Sequence, residues 1–262
     1  MRHIQLVAAT AFVTLAAPGT ARIASAQATR PPTVAVMYFN NSSLVSHDDY
    51  EPFRAGLADI LITELQANRG IIVVERDALQ KILQEQNLGK DMRLDPETSV
   101  RIGKILGAQH MIVGGFLIDA KGRVRLDARA VNVETSRIEH VETVNGTSDD
   151  LLGAVATLAR KLNDGMHLPG RPTPSGASRP SGDAGVAAAA VGTASGATGA
   201  AKAPPFKALL TYARALTEDD SHNRTAAAAY YRQFLDETPA DFAVQQRNRA
   251  SERLKAQNRG SD

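Results

Sequence analysis

The stretch VVERDALQKILQEQNLG, residues 73–89, joins two patterns that belong to different secondary structures. Its first residues complete an apolar run that begins at Ile71 and is typical of a buried strand. Its later part repeats leucine and isoleucine at three- and four-residue spacing, which predicts a helix with one apolar face. Glu75 and Arg76 stand where one pattern changes into the other.

This adjacent acid and base has two interpretations. General acid–base catalysis needs a group whose pKa is moved towards the working pH by burial or by a partner. An acid at a helix start is also stabilised by the helix dipole, and ionic groups there commonly fix a strand–helix junction. We therefore predict that Glu75 and Arg76 form a structural joint and not a catalytic pair.

The surrounding sequence alternates between the same two patterns. Apolar runs predict strands over residues 33–39, 71–75 and 110–119, and helical spacing fills the intervals between them. A turn at Lys121-Gly122 then leads into alternating strands, and a helix follows from Asp150. The predicted fold class is α/β, with a mixed β-sheet covered by helices across residues 33–166.

The chain of 262 residues begins with features of an export signal. Arg2 and His3 precede an apolar run, residues 4–17, which is too short to span a membrane, and small residues follow at 24–26. We predict a signal peptide over residues 1–26. Its removal takes away two arginines and no acid, so the net charge falls from +2 to 2 − 2 = 0. Nucleic acid is therefore not a predicted partner.

Two further segments follow the predicted α/β domain. Residues 167–205 are rich in Pro, Gly and Ala and predict a flexible linker. Residues 206–256 predict a small pair of helices that resembles a single tetratricopeptide repeat, because alanine precedes an aromatic residue by four positions and a proline ends the second helix. Tyr231 and Phe234 lie on one face of that helix and are candidate partner-binding residues.

No catalytic, cofactor-binding or metal-ligating residue is predicted. The chain has no cysteine, and no histidine has a second one three or four positions on. Gly114-Gly115 lacks the lysine and the following helix of a phosphate-binding loop. Arg123, Arg125 and Arg129 alternate along one strand as a solvated basic face, and the alternative is a contact surface for an acidic partner.

Five ordered blocks resemble the curli production assembly/transport (CsgG-type) family, to which TolB-like N-terminal domains are related. They cover residues 33–165, and Glu75 and Arg76 match the strand-end Glu-Arg pair of the family. The resemblance implies an α/β domain with a central sheet. The blocks are VAVMYF, GLADILITEL, VVERDALQKILQEQNLG, DPETSVRIGKILGAQHMIVGG and LDARAVNVETSRI.

The resemblance is weakest where channel members of the family make their pore. Those members insert two long amphipathic hairpins, at places where this chain holds only DAKGR and VNGTSDD. One transmembrane strand needs about nine to eleven residues, so neither place holds a hairpin. The family's lipid-anchor cysteine is missing as well.

These observations predict a non-enzymatic periplasmic protein, a CsgG-like accessory or scaffold of envelope assembly or secretion. It would bind protein partners in the cell envelope, peripheral to the outer membrane, without a transmembrane helix after signal cleavage. The alternative is a ring-forming component, a homo-oligomer, of a curli-type or polymer transport channel.

Overall fold

The computed structural model of the protein describes residues 30–86, 96–166, 168 and 206–259. By backbone contacts the chain divides into two units, Met1–Arg30 and Pro31–Asp262, and every helix and strand given below lies in the second. The predicted signal peptide and the predicted linker, apart from Leu168, lie outside the described residues.

Strands and helices alternate through the first part of the described chain, and helices alone follow in the last. The strands are β1 (Thr33–Val36), β2 (Asn40–Asn41), β3 (Ile72–Val73), β4 (His110–Ile118), β5 (Arg123–Asn132) and β6 (Ile138–Thr147). The helices are α1 (His47–Tyr50), α2 (Phe53–Gln66), α3 (Arg76–Glu85), α4 (Pro96–Leu106), α5 (Leu151–Gly165), α6 (Phe206–Asp220), α7 (Arg224–Glu237) and α8 (Val244–Arg259).

The six strands form one mixed sheet, which confirms the predicted fold class. Its order is β3-β1-β4-β5-β6, and β2 pairs with β4 beyond the end of β1. The pairs made by β1, β2 and β3 are parallel, whereas β4, β5 and β6 run antiparallel to their neighbours. In the parallel part, α1 and α2 connect β2 to β3, and α3 and α4 connect β3 to β4; the antiparallel strands then follow one another directly along the chain.

Both faces of the sheet carry apolar side chains, because residues alternate between the faces along each strand. Val34, Ile112 and Leu126 point to the face covered by α2 and α5, in the larger core. Met111 and Val131 point to the opposite face, which α3 and α4 cover in a second core. Helices α3 and α4 cover this face along only part of the length of β4 and β5.

The sequence predicts a helix stop at Gly107 and a tight turn at Lys121-Gly122, and both glycines have the left-handed backbone that such positions favour. Gly107 ends α4 with φ of 66° and Gly122 forms the β4–β5 turn with φ of 72°, values that a residue with a Cβ rarely adopts. The sequence Asp95-Pro96 predicts a helix start, with Asp95 as the cap and Pro96 at the first helical position. Helix α4 begins at Pro96, and Asp95 lies outside the described residues.

The predicted first strand, residues 33–39, is shorter in the structure. Phe39 donates its backbone N–H to the carbonyl of Arg54 at 3.1 Å and not to a strand, so β1 ends at Val36. The Phe39 ring lies against Gly114, where an added Cβ would come within 2.7 Å of the ring. Gly114 therefore makes room for an aromatic side chain, as a strand glycine often does.

The C-terminal part contains three helices where the sequence predicted a pair. Helices α6 and α7 share a core of alanine and aromatic side chains, and α8 adds Ala250 to it. The α8 sequence, VQQRNRASERLKAQNR, is almost entirely polar, so helical hydrophobic spacing gave no signal for it. We call α6, α7 and α8 together the helical module.

The helical module packs against the α/β part. Leu209 and Ala213 of α6 belong to the larger core beside α2. The Phe206 ring contacts Tyr50 edge-on with centroids 5.6 Å apart and lies 5.0 Å from Phe53. Among the described residues, no helix is long and apolar enough to cross a membrane.

Candidate functional site

Arg76 is the centre of a buried ionic cluster at the strand–helix joint. It is the first residue of α3, directly after β3 and Glu75, and only 3% of its surface is exposed. A buried guanidinium needs carboxylates, and Arg76 has two from other helices. Its Nε lies 3.7 Å from Asp59 of α2, and its Nη1 donates to Asp220 at the end of α6.

Asp59 joins three elements through its two carboxylate oxygens. It is 2% exposed and is the one charged residue among the buried residues of α2. The hydroxyl of Tyr212 on α6 donates to Oδ2 at 2.7 Å, and Nη1 of Arg249 on α8 donates to Oδ1 at 2.6 Å. A buried carboxylate is costly unless it is paired and hydrogen-bonded, and here both partners come from the helical module.

Asp220 binds the opposite side of Arg76. It ends α6, where the helix dipole disfavours a negative side chain, so the arginine offsets an unfavourable position. The Tyr38 hydroxyl lies 2.8 Å from Asp220 Oδ2. Gln84 of α3 donates to the Asp220 backbone carbonyl at 3.1 Å, which satisfies a helix-end acceptor.

A second layer of charges continues the cluster towards solvent. Arg253 of α8 pairs with Asp77 of α3 and lies 3.5 Å from Asp219 of α6. The Tyr231 hydroxyl donates to the same Asp219 at 3.3 Å. We call the whole set the ionic seam; its members are Tyr38, Asp59, Arg76, Asp77, Tyr212, Asp219, Asp220, Tyr231, Arg249 and Arg253.

The seam borders a cavity of about 370 Å³ between α3, α6 and α8. Each carboxylate of the seam faces an arginine or a tyrosine hydroxyl, so none is placed as a free base. Among the described residues there is no group of three or more His, Cys, Asp or Glu side chains that could hold a metal ion. The arrangement is suited to holding helices together.

Burial and charge alter the pKa values of the seam in a consistent direction. Burial alone would lower the pKa of Arg76, but the carboxylate of Asp220 and the other neighbours raise it well above its ordinary value. Burial raises the pKa of Tyr212, and the adjacent Asp59 raises it further. Burial also raises the pKa of Tyr38 and of Tyr231.

The three raised tyrosine pKa values predict a loss of stability in alkali. An unfolded tyrosine titrates near pH 10. The folded protein keeps these protons to higher pH, so their contribution is complete below pH 10 and is lost as pH rises through the folded values. Each tyrosine should then lower the free energy of unfolding by about 1.4 kcal/mol per pH unit above 10.

Urea denaturation on either side of pH 10, with tyrosinate absorbance, measures this loss. Tyr212→Phe is the matched control. It should reduce the slope of the unfolding free energy against pH by about a third, because one of the three tyrosines no longer titrates. Equal stability on both sides of pH 10 would contradict the prediction.

The structure separates the residues that the sequence singled out. Glu75 caps α3 with extended backbone, and Arg76 enters the seam; their role as a structural joint stays a prediction, with these contacts as its physical basis. Tyr231 and Phe234 are fully buried in the helical module. A partner would reach them only if the helices separated, so their role in binding also stays a prediction. Arg123, Arg125 and Arg129 lie on β5, away from the seam.

Most seam residues were missed by sequence reasoning. Asp220 is 144 positions from Arg76 and Arg249 is 190 positions from Asp59, distances that no local spacing reveals. One signal was present: Asp59 is the only charge in the block GLADILI, on the face that packs inward. A lone acid among core residues indicates a buried partner.

The fold and the seam together define an α/β domain with a docked helical module. Residues 20–118 match the family model for the curli production assembly/transport component CsgG. The chain therefore carries a CsgG-type domain in this region, and β5, β6 and the helical module lie beyond the matched residues. No curated protein sequence matches this chain.

Several solved structures are similar to this chain at low identity. The LpoB C-terminal domain from Escherichia coli is 18% identical, with a TM-score of 0.32, over 48% of this chain and 89% of its own. TolB from Acinetobacter baumannii is 13% identical, with a TM-score of 0.33, and the match covers 52% of this chain and 27% of the TolB chain. PelC from Paraburkholderia phytofirmans, solved as a dodecamer, is 16% identical, with a TM-score of 0.30, and the match covers 53% of this chain and 89% of the PelC chain.

Proposed function

We propose that this protein is a non-enzymatic accessory or scaffold of envelope assembly or secretion. In this proposal the CsgG-type domain and the helical module act as one recognition body in the periplasm. The observation that carries it is the ionic seam, which connects α2 and α3 to α6 and α8 through paired buried charges. The family match supports the link to envelope assembly and transport.

The energetics of the seam favour a fixed module. A buried ion pair contributes only the difference between the attraction of its charges and the hydration that they lose on burial. Separating the module would expose Asp59 and Arg76 and also break the Phe206 contacts with Tyr50 and Phe53. Aromatic pairs of this kind contribute about 0.5–1.5 kcal/mol each beyond the area that they bury. The aromatic contacts therefore favour the docked state, and the ion pairs fix its geometry.

A fixed module suits a scaffold for a physical reason. A partner that binds a preorganised surface does not have to order it, and each immobilised side chain would otherwise cost about 0.5–1.5 kcal/mol. The seam makes the surfaces of α3 and α8 continuous, because Arg253 bridges Asp77 and Asp219. A partner could then contact both parts at once.

Capture from envelope extracts tests the proposal. The exported full chain should recover the same envelope proteins as Arg69→Met, which changes an exposed arginine in the α2–β3 turn. Arg76→Met, which loosens the module, should recover at least about tenfold less, since 1.4 kcal/mol of preorganisation is a factor of ten.

Three results would overturn the proposal or favour its rival. Protein found in the cytosol with residues 1–26 intact would defeat the periplasmic location. Equal recovery by Arg76→Met and Arg69→Met would defeat the role of the docked module. Stable rings in native mass measurements of the exported form would favour the ring-forming channel component instead.

A further inference from the structure

Part of one sheet face is open. Helices α3 and α4 cover this face around Met111 and Val131, but further along the same face the β5 arginines and Val141 are exposed. We call this region the open face; its members are Val113, Leu117, Asp119, Arg123, Arg125, Asp127, Arg129, Val141 and Asn145.

Strand register sets arginines between apolar side chains on the open face. Val113 of β4, Arg129 of β5 and Val141 of β6 form one row across three strands. Val141 is 55% exposed, and Ile138, beside the β5–β6 irregularity, is 50% exposed. An arginine flanked by apolar side chains is the composition that protein interfaces favour, because its long stem packs while its head pairs.

The arginines of the open face differ in whether they have an ion-pair partner. Arg123 pairs with Asp119 at 2.6 Å, and Arg125 pairs with Asp127 at 2.9 Å. Within the described part of the chain, Arg129 has no carboxylate oxygen within 4.0 Å. The face therefore carries three arginines against two aspartates. Asp127 pairs directly with Arg125 and attracts Arg129 from a greater distance, so one net positive charge is left, beside the apolar row.

We propose that the open face binds an extended acidic segment of a protein partner. A partner carboxylate would pair with Arg129, and apolar side chains on either side of that carboxylate would pack on Val113 and on Val141. Alternate residues of an extended chain share one side, which matches the spacing of the β5 arginines. This assignment deepens the proposed function and rests on it for the existence of a partner.

Charge argues against two other occupants. Residues 169–205 of this chain hold Arg171, Arg179 and Lys202 against one acid, Asp183, so the segment has a net charge of 3 − 1 = +2. A basic segment does not complement a basic face. An anionic lipid surface attracts clusters of about four to eight basic residues at about 1 kcal/mol each, whereas the open face offers one net charge.

Peptide binding tests the assignment. The probe is a fluorescein-labelled ten-residue peptide that alternates Glu and Val, compared with a Lys–Val peptide and with phosphatidylglycerol vesicles. The acidic peptide should bind the full chain more tightly than the Lys–Val peptide or the vesicles do, and added salt should weaken it. Arg129→Glu should weaken binding at least about tenfold, and Arg129→Lys by much less.

Arg101→Glu is the matched control, because it reverses an exposed arginine on α4 outside the open face. It should change the affinity by less than about twofold. Absent or equal binding of the two peptides, stronger binding of vesicles, or equal effects of the two arginine reversals would overturn the assignment. Loss of this site with envelope capture intact would leave the proposed function standing.

Discussion

Replacing Arg76 by methionine is expected to lower the free energy of unfolding by about 3–5 kcal/mol. Methionine keeps the apolar stem but leaves Asp220 buried at a helix end without a cation, and Asp59 keeps only Arg249. Urea denaturation measures the change as a lower midpoint with an unchanged slope. The matched control Arg69→Met should change stability by at most about 0.5 kcal/mol, because that arginine is exposed.

A double-mutant cycle separates the ionic contribution from a general loss of packing. Asp220→Asn removes the charge that Arg76→Met leaves unpaired, so the double variant should be more stable than the sum of the two single losses predicts. Additive losses, or an Arg76→Met loss below about 1 kcal/mol, would show that the seam does not hold the module.

Gly56→Ala is expected to separate α2 from α6. A Cβ at Gly56 would lie 2.7 Å from the Ala213 Cβ and 3.4 Å from the Ala213 Cα, so the two helices must move apart. Overpacking of this kind costs about 1–3 kcal/mol. Helix propensity acts in the opposite direction, since alanine is favoured over glycine by about 1 kcal/mol. A net loss of stability in Gly56→Ala would therefore show that α2 and α6 are in close contact at Gly56 and Ala213.

Two matched variants complete this test. Gly153→Ala in α5 meets only the carboxylate of Asp150, an exposed and movable side chain, and should be neutral or stabilising. Ala213→Gly in the Gly56→Ala background restores the space and should recover most of the loss. Hydrogen exchange should show reduced protection of α6 in Gly56→Ala while β4 and β5 stay protected. Equal protection in both regions would contradict local separation.

Much of the α/β part could be predicted because its signals are local. The helical face with Leu57, Leu61 and Leu65 lies in the core as its spacing required. The alternation along β5 correctly placed Leu126 and Ala128 inside and Arg125 outside. These patterns depend on which face of one element meets water, and each element carries that information in its own residues.

Features that depend on contacts between residues distant in the sequence could not be predicted. Helix α8 was not predicted because, among its described side chains, Ala250 is the one apolar residue that is buried. The partners of Arg76 lie 17 positions before it and 144 after it, in Asp59 and Asp220. Sequence showed that an acid and a base stood at the joint, but not that the base faces the helical module.

The amino-acid sequence by itself determined the alternation of elements, the turn glycines, the basic strand and the family resemblance, because hydrophobic period and backbone freedom are properties of short segments. Only the tertiary structure decided that the helical module docks and that Arg129 lies between Val113 and Val141, without a direct ion pair among the described residues. A buried charge is stable only beside a specific partner, and distant residues become neighbours only when the chain folds.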